Sequence, residues 1–338
     1  MTARAEEPVP RRIDIAGHAF ELRDLVPDDA AALVALHRRV FGEGASDAWY
    51  EWKYVRGGGF GTGMWHEGQL VAHCAGLPRA LRVRGESRSG IQIGDVMVTP
   101  EWRGILTRRG PFFHVSQAFY DAHVGAGREH TIAFGFPSDR HLRLAVKSKL
   151  LHDGGPVHGL TWNLATARPQ LGWRWAAVPL DERDARFDAT VERAWRRMLA
   201  ACGGQVLGER TTAYVRWRFF ERPGRTYRAI ALRDRWLGGA AGVAILDLTG
   251  EAAQWLDWIG RPVDLPPAWA ACAQAAQRAG AKRLTMWASP AVAQSLTPTR
   301  IEHTAVAAWI GIPCRSDIAE SDLARLDWWL TGGDTDFL

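Results

Sequence analysis

A two-lobed α/β protein, each lobe a mixed sheet covered by helices, is the fold class this sequence predicts. Three observations carry it. The chain has 338 residues, too many for one small domain and enough for two of ordinary size. Strand-type and helix-type patterns alternate through Leu150 in an order that gives a mixed sheet with helices over it. Part of the first half then returns: Trp52-Lys53-Tyr54 reappears as Trp217-Arg218-Phe219 and Gly59 as Gly224, each 165 positions on. Leu70 has a counterpart in Leu237, again expected at the start of a strand.

Taken in order, Phe20 to Leu25 alternates and reads as the first strand. Pro27-Asp28-Asp29 opens a helix with Leu33, Leu36, Val40 and Phe41 as its apolar stripe. Asp47 to Val55 reads as a second helix carrying Trp49 and Trp52, broken by Gly57-Gly58-Gly59. Gly61–His66 and Leu70–Leu81 form a hairpin over Glu67-Gly68, and Ile91–Val98 is a further strand stopped by Thr99-Pro100. The loop Glu101 to Gly110 leads to Pro111, which suits a first helical position, and to a helix bearing Phe112, Val115, Phe119 and Ala122. Thr131–Phe136 is a strand, and Ser138-Asp139 caps a helix to about Leu150. Residues 166–186, with Pro169 and Pro179 and no clear period, separate a first lobe at 13–165 from a second at 187–338.

Composition narrows the function. With 47% apolar and 23% charged residues the chain is an ordinary globular protein, not a disordered one. A net charge of +5 suits a polyanionic ligand such as a nucleotide cofactor. It also allows nucleic acid, but the arginines are scattered, without the dense runs of a nucleic-acid tail. Cys74, Cys202, Cys272 and Cys314 lie far apart with no metal-ligand spacing, so inert thiols in a reducing compartment are expected. Met1 to Arg12 lacks the apolar run of a signal peptide, and no segment approaches the ~20 apolar residues of a membrane helix. The expectation is a cytoplasmic protein.

The chemistry gathers after Val98. A pyrophosphate needs several N–H donors converging on a small volume, and a strand ending in a glycine-bearing loop at a helix N-terminus supplies them. Gly104 and Gly110 permit close approach, while Arg103, Arg108 and Arg109 add charge, with Thr107 in the same loop. The rival reading is a solvated basic turn.

Ile93-Gly94-Asp95-Val96-Met97-Val98-Thr99-Pro100-Glu101-Trp102-Arg103-Gly104 resembles the signature of the GCN5-related N-acetyltransferase superfamily. Phe134-Gly135-Phe136-Pro137-Ser138-Asp139 and the helix after it resemble that superfamily's next strand and helix. Trp52-Lys53-Tyr54 looks like its bacterial two-lobed branch. The resemblance implies two tandem acyl-CoA N-acyltransferase-like lobes, each a mixed, mostly antiparallel sheet, the second degenerate. It also implies acetyl-CoA or another acyl-CoA as co-substrate without a metal, and a small-molecule amine, such as an amino sugar or metabolite, as acceptor. Met97, Val98, Arg103, Gly104, Thr107, Arg108, Arg109, Gly110 and Ser138 would then hold the acyl-CoA, a backbone N–H of Met97 or Val98 polarising its carbonyl. Two departures stand out. Leu106 and Arg108 occupy the usual small positions of the loop, and the helix that often supplies a tyrosine acid carries His141 and no Tyr.

An alkyl ammonium with a pKa near ~10.4 costs about 4 kcal/mol to deprotonate at pH 7, so a base is needed. Asp95, on the strand beside the thioester, is the candidate. Its alternative role is to bracket the strand, since Trp255-Leu256-Asp257-Trp258 keeps an Asp where no Arg/Gly loop follows. His141 is the second catalytic candidate, as a proton donor or a cofactor contact. His114 reads as part of a polar helix face. Trp49, Trp52 and Trp65 are core residues or the lining of an acceptor pocket. Two other functions fit the residues: a non-catalytic acyl-CoA-binding scaffold, and an aminoacyl transferase using charged tRNA. Nothing resembles a nucleophile elbow, metal cluster or dinucleotide fingerprint.

Overall fold

The first strand of the sequence reading is the inner member of a hairpin. In the computed structural model, which describes residues 10–104, 109–316, 318–323 and 325–338, β1 (Arg11–Ile15) pairs with β2 (His18–Asp24) across Ala16-Gly17. α1 (Ala30–Phe41) is seated by Asp29, whose carboxylate accepts from Val26 N at 2.9 Å and from Arg23 Nη2 at 2.8 Å. Leu33 and Leu36 are buried as expected, but Phe41 lies at the end of the helix, 59% exposed. α2 (Asp47–Tyr50) is capped by Ser46, then loosens into a π-helical turn, Glu51–Arg56, rather than running on as one α-helix.

β3 (Phe60–His66) and β4 (Gln69–Val83) meet at Glu67-Gly68, both at positive φ, the geometry that a two-residue hairpin turn demands. β5 (Glu86–Val98), α3 (Pro111–His123), β6 (Ile132–Gly135), α4 (Asp139–Lys147) and β7 (Leu151–Asn163) follow. α1 and α3 cover opposite faces: Leu33, Leu36, Leu70 and Met97 pack together, while Ile91, Ile93 and Val98 pack with Phe113 and Phe119.

The later part comprises β8 (Trp175–Leu180), α5 (Phe187–Cys202), β9 (Val206–Gly208) and α6 (Thr212–Val215) with a second π-helical turn, Arg216–Phe220. Next come β10 (Arg228–Asp234), β11 (Ala240–Asp247), β12 (Ala252–Gly260), α7 (Leu265–Arg278), β13 (Arg283–Ala288) and α8 (Pro290–Ser295). β14 (His303–Pro313), α9 (Glu320–Leu323) and β15 (Trp328–Trp329) complete it.

One sheet runs through the molecule in the order β1-β2-β3-β4-β5-β6-β14-β7-β13-β12-β11-β10-β8. From β2 to β8 this order is a palindrome. β5–β6 and β12–β13 are parallel, and the neighbours outward from them are antiparallel. At the centre the two halves exchange strands: β14, late in the chain, lies against β6, while β7 lies against β13.

The repeat seen in the sequence is the second sign of this two-fold relation. Ser46 Oγ accepts from Trp49 N and Thr211 Oγ1 from Tyr214 N, each at 3.2 Å, so two caps 165 positions apart start two short helices that both end in π-turns. Trp52 and Trp217 stack with centroids 5.0 Å apart and planes at 12°. Each indole donates to the other's backbone carbonyl, at 2.7 and 2.9 Å, the reciprocity of a two-fold contact. Trp52 is thus a core residue, 2% exposed. Leu237 departs from the expected match: Leu70 lies within β4, but Leu237 sits in the turn before β11, 67% exposed. The cysteines are unbridged, and among the described residues no helix is long and apolar enough to cross a membrane.

Candidate active site

The parallel register of β5 and β6 runs from Gly90/Ile132 to Ile93/Gly135 and stops. β5 continues to Val98 against β4 alone, while β6 turns through Phe136-Pro137-Ser138 into α4. The two strands part, and α3 and α4 both begin at the opening. Their dipoles place partial positive charge there.

Of the predicted phosphate residues, Arg103, Gly104, Arg109, Gly110 and Ser138 are described, on the segments that lead from β5 and β6 into α3 and α4. Arg103 Nε donates to Val98 O at 2.7 Å, tying Arg103 to the strand end, and among the described residues a side chain at Gly104 would meet nothing within 4 Å. Thr107 and Arg108 lie outside the described residues. The Arg109 guanidinium covers the Phe113 ring at 4.8 Å, and Gly110 is the N-cap of α3, its carbonyl accepting from Phe113 N at 3.0 Å. Ser138 caps α4, its hydroxyl 3.2 Å from His141 Nδ1. His141 faces Phe112 across the opening, ring centroids 6.3 Å apart. Burial and the charges of Arg140 and Arg103 hold its pKa below the ordinary value. His141 therefore stands with the residues predicted to hold the phosphates, its ring between Ser138 and Phe112. His114 is half-buried.

Asp95 sits at a bulge. Between His73 and Ala75 of β4 the register slips, and Asp95 takes φ +47°, a left-handed conformation that Asp tolerates better than most residues. Bulges redirect side chains, and this one turns the carboxylate towards α1 and the first π-turn. Tyr54 Oη donates to Asp95 Oδ2 at 2.6 Å, and Lys53 Nζ approaches the same oxygen at 2.7 Å. His37 Nε2 is 4.0 Å from Oδ1, and His73 Nδ1 lies 3.0 Å from the Asp95 carbonyl. Because that carbonyl can only accept, Nδ1 of His73 carries the proton. Lys53 also pairs with Asp336, near the other end of the chain.

The electrostatics follow from burial. His73 is driven down to about 4 by desolvation, which outweighs Asp95, so it is neutral at pH 7. Desolvation lowers His37 as well. Burial and the neighbouring carboxylates, Asp95 first, raise Tyr54 well above an ordinary phenol. Burial works against charge on Lys53 and Asp336, but each outweighs it for the other: Lys53 is raised and Asp336 held at about 2. The Asp95 side chain remains 9% exposed, beside the half-buried rings of Trp49 and Tyr54. Trp65 stands elsewhere, under the Arg23 guanidinium at 4.5 Å.

Periodicity does not reveal Lys53, Tyr54, His37, His73 and Asp336 as a group. The sequence signal for Lys53 and Tyr54 is the repeat itself, which sets them against Arg218 and Phe219.

Residues 21–142 match the family model described as an acetyltransferase (GNAT) domain. This stretch is a GNAT domain. It spans β2 through the start of α4 and so contains both the opening and Asp95. Solved structures share the fold over most of the chain. A conserved protein of unknown function from Enterococcus faecalis superposes with a TM-score of 0.68 at 12% identity, covering 88% of this chain and 73% of that one. A GCN5-related N-acetyltransferase from Kribbella flavida gives 0.59 at 17% identity, covering 86% and 70%. Saccharomyces cerevisiae N-myristoyltransferase with bound myristoyl-CoA gives 0.54 at 10% identity, covering 90% and 84%. At these identities the likeness is one of fold. No curated protein matches the sequence significantly. The GNAT fold is one that holds an acyl-CoA thioester, and among the described residues no cluster of metal-binding side chains accompanies it.

Proposed function

We propose that the chain transfers an acyl group, acetyl foremost, from acyl-CoA to a primary amine at the parting of β5 and β6. In this reading residues 13–165 bear the site, 166–186 connect, and 187–338 form a related lobe without an acyl-CoA site. The observation that carries it is the opening between two parallel strands, flanked by two helix N-termini and Arg103, with a hydrogen-bonded carboxylate a few residues back on β5.

Strand alternation selects the carbonyl donor. Thr99 N donates to Val71 O of β4, so Met97 N–H faces β4 as well, and Val98 N–H faces the opening. Val98 is the residue this supports for polarising the thioester carbonyl. Asp95 takes one proton from the incoming ammonium, directly or through a water. The neutral nitrogen attacks the carbonyl carbon, the N–C bond forms and the C–S bond breaks. The second proton shed by nitrogen neutralises the departing thiolate. Asp95 then loses its proton to solvent, with His37 the nearest group able to relay it. Tyr54, kept protonated, holds the carboxylate in place. Arg103, Arg109, Gly104, Gly110 and Ser138 serve the phosphates, as Thr107 and Arg108 would.

Thermal shift and calorimetry with acetyl-CoA and longer acyl-CoAs test the reading. At 100 times its dissociation constant a ligand stabilises by about 2.7 kcal/mol, and Arg103→Ala should weaken binding by ~1–3 kcal/mol. Absence of any shift or heat with the wild-type chain overturns the proposal.

A further inference from the structure

Lys53 joins two carboxylates 241 residues apart in the chain, Asp95 and Asp336. Its side chain is 3% exposed, with Asp95 Oδ2 at 2.7 Å on one side and Asp336 on the other. An ammonium at such range, paired with Asp95 alone, would favour the ionised carboxylate by roughly one to three pKa units and make it a poor base. Asp336 changes that sum. Its side chain is 5% exposed, and Gln92 Nε2 donates to its other oxygen at 3.1 Å.

The segment bearing Asp336 is fastened in the later part of the molecule. Thr331 Oγ1 donates to Asp257 Oδ1 at 2.8 Å, and Arg210 Nη2 donates to Asp334 Oδ2 at 2.6 Å. Arg218, which occupies the repeat position of Lys53, donates to Thr335 O at 2.7 Å, and Tyr227 Oη donates to Leu338 O at 2.9 Å. The two halves thus grip one segment from equivalent positions. Lys53 takes a side chain of it, and Arg218 takes its backbone.

We propose that Asp336 is a positioning residue for the first-half site: by sharing Lys53 it leaves Asp95 basic enough to accept a proton, and it makes that basicity depend on a segment anchored in the other half. The inference deepens the acyltransfer reading and rests on it for its purpose. The groups facing Asp95 are His37 from α1, Lys53 and Tyr54 from the π-turn, His73 from β4, and, through Lys53, Asp336; the neutral Cys74 thiol of β4 is turned to Ser116 and Tyr120 of α3. With both histidines neutral, Asp95, Asp336 and Lys53 leave one surplus negative charge, suited to an incoming ammonium.

The test reads Asp95 without any substrate. ¹³C-carboxyl NMR of aspartate-labelled protein, with the Asp95 signal assigned through Asp95→Asn, gives its titration midpoint in the wild type, in Asp336→Asn and in the double variant Lys53→Met/Asp336→Leu. Asp336→Asn should lower the midpoint by about one unit or more, because Lys53 then faces Asp95 alone. The double variant, lacking the cation too, should bring it back to the wild-type value or above. If Asp336→Asn fails to fold, Asp336→Ser takes its place with the same expected fall in midpoint, and an unmoved midpoint there overturns the proposal. An Asp95 midpoint unmoved in folded Asp336→Asn, with only the melting temperature reduced, makes Asp336 a structural clamp and ends the proposal. A shifted midpoint in a protein that transfers no acyl group to amines would leave the charge-sharing intact and sink the acyltransferase reading instead.

Discussion

Asp95 and Asp257 occupy the same place in two halves of one sheet, and they lead opposite lives. Each stands two residues beyond the end of a parallel pairing, past Ile93 on β5 and past Trp255 on β12. Each lies at a register slip against the neighbouring antiparallel strand. Asp257 is fully buried, with Arg210 Nε 3.1 Å from Oδ2 and Thr331 and the Trp258 N–H on Oδ1. Residues 331–334 fill the gap where β12 and β13 part, so close that a side chain at Gly333 would strike Asp257 at 2.5 Å. Past the strand, both halves make a one-turn 3-10 helix at Pro100–Trp102 and Pro262–Asp264. There they diverge. α7 starts at once after Asp264, whose carboxylate is held by Arg261 Nε at 2.9 Å. The first half inserts the Arg/Gly loop before α3. The same bend in the sheet carries a partly exposed carboxylate in one half and a sealed strut in the other, and the occupant of the gap makes the difference.

Turnover separates the two aspartates most sharply. Asp95→Asn keeps the size and the backbone preference but removes the basicity, and acyl transfer to an amine should fall roughly 10²–10⁴-fold with acyl-CoA affinity nearly unchanged. An unaltered rate in a single-turnover assay would take Asp95 out of the chemistry and leave both halves structural. Arg210→Ala should act through stability. It strands Asp257 and Asp334 in a fully buried site, a loss of about 3–5 kcal/mol visible in chemical denaturation. A normal denaturation midpoint would show that the strut carries no load. The smallest effect concerns pH. His73 has a folded pKa of about 4, below its unfolded value near ~6.5, so the folded form is favoured above the unfolded pKa and loses ground as pH falls from there towards 4. His73→Gln should flatten that part of the stability curve. An unchanged slope would mean another buried base sets it.

Much of the fold is readable locally. The Glu67-Gly68 turn, the Pro111 helix start and the Ser138 cap are short-range signals, and each stands where residue chemistry puts it. The exchange of β7 and β14 is not readable, because nothing in either strand's pattern says which half of a sheet it completes. The π-turns are hidden for a related reason: Trp52 meets its partner 165 residues away, and that pairing shapes the turn. The candidate site divides along the same line. Asp95 and the loop from Arg103 lie in one continuous stretch. Tyr54 comes from 41 residues before Asp95, and the Gln92–Asp336 bond spans 244.

The strand exchange also governs how the molecule can come into being. β6 finds its outer neighbour only in β14, so a nascent chain leaving the ribosome cannot finish the sheet of its GNAT domain until residues 303–313 have been made. Such long-range closure belongs to slowly folding topologies. For most of its synthesis the half that carries Asp95 exposes an unpaired strand edge, a hazard that a chaperone can shield and that a detached first half would keep for good.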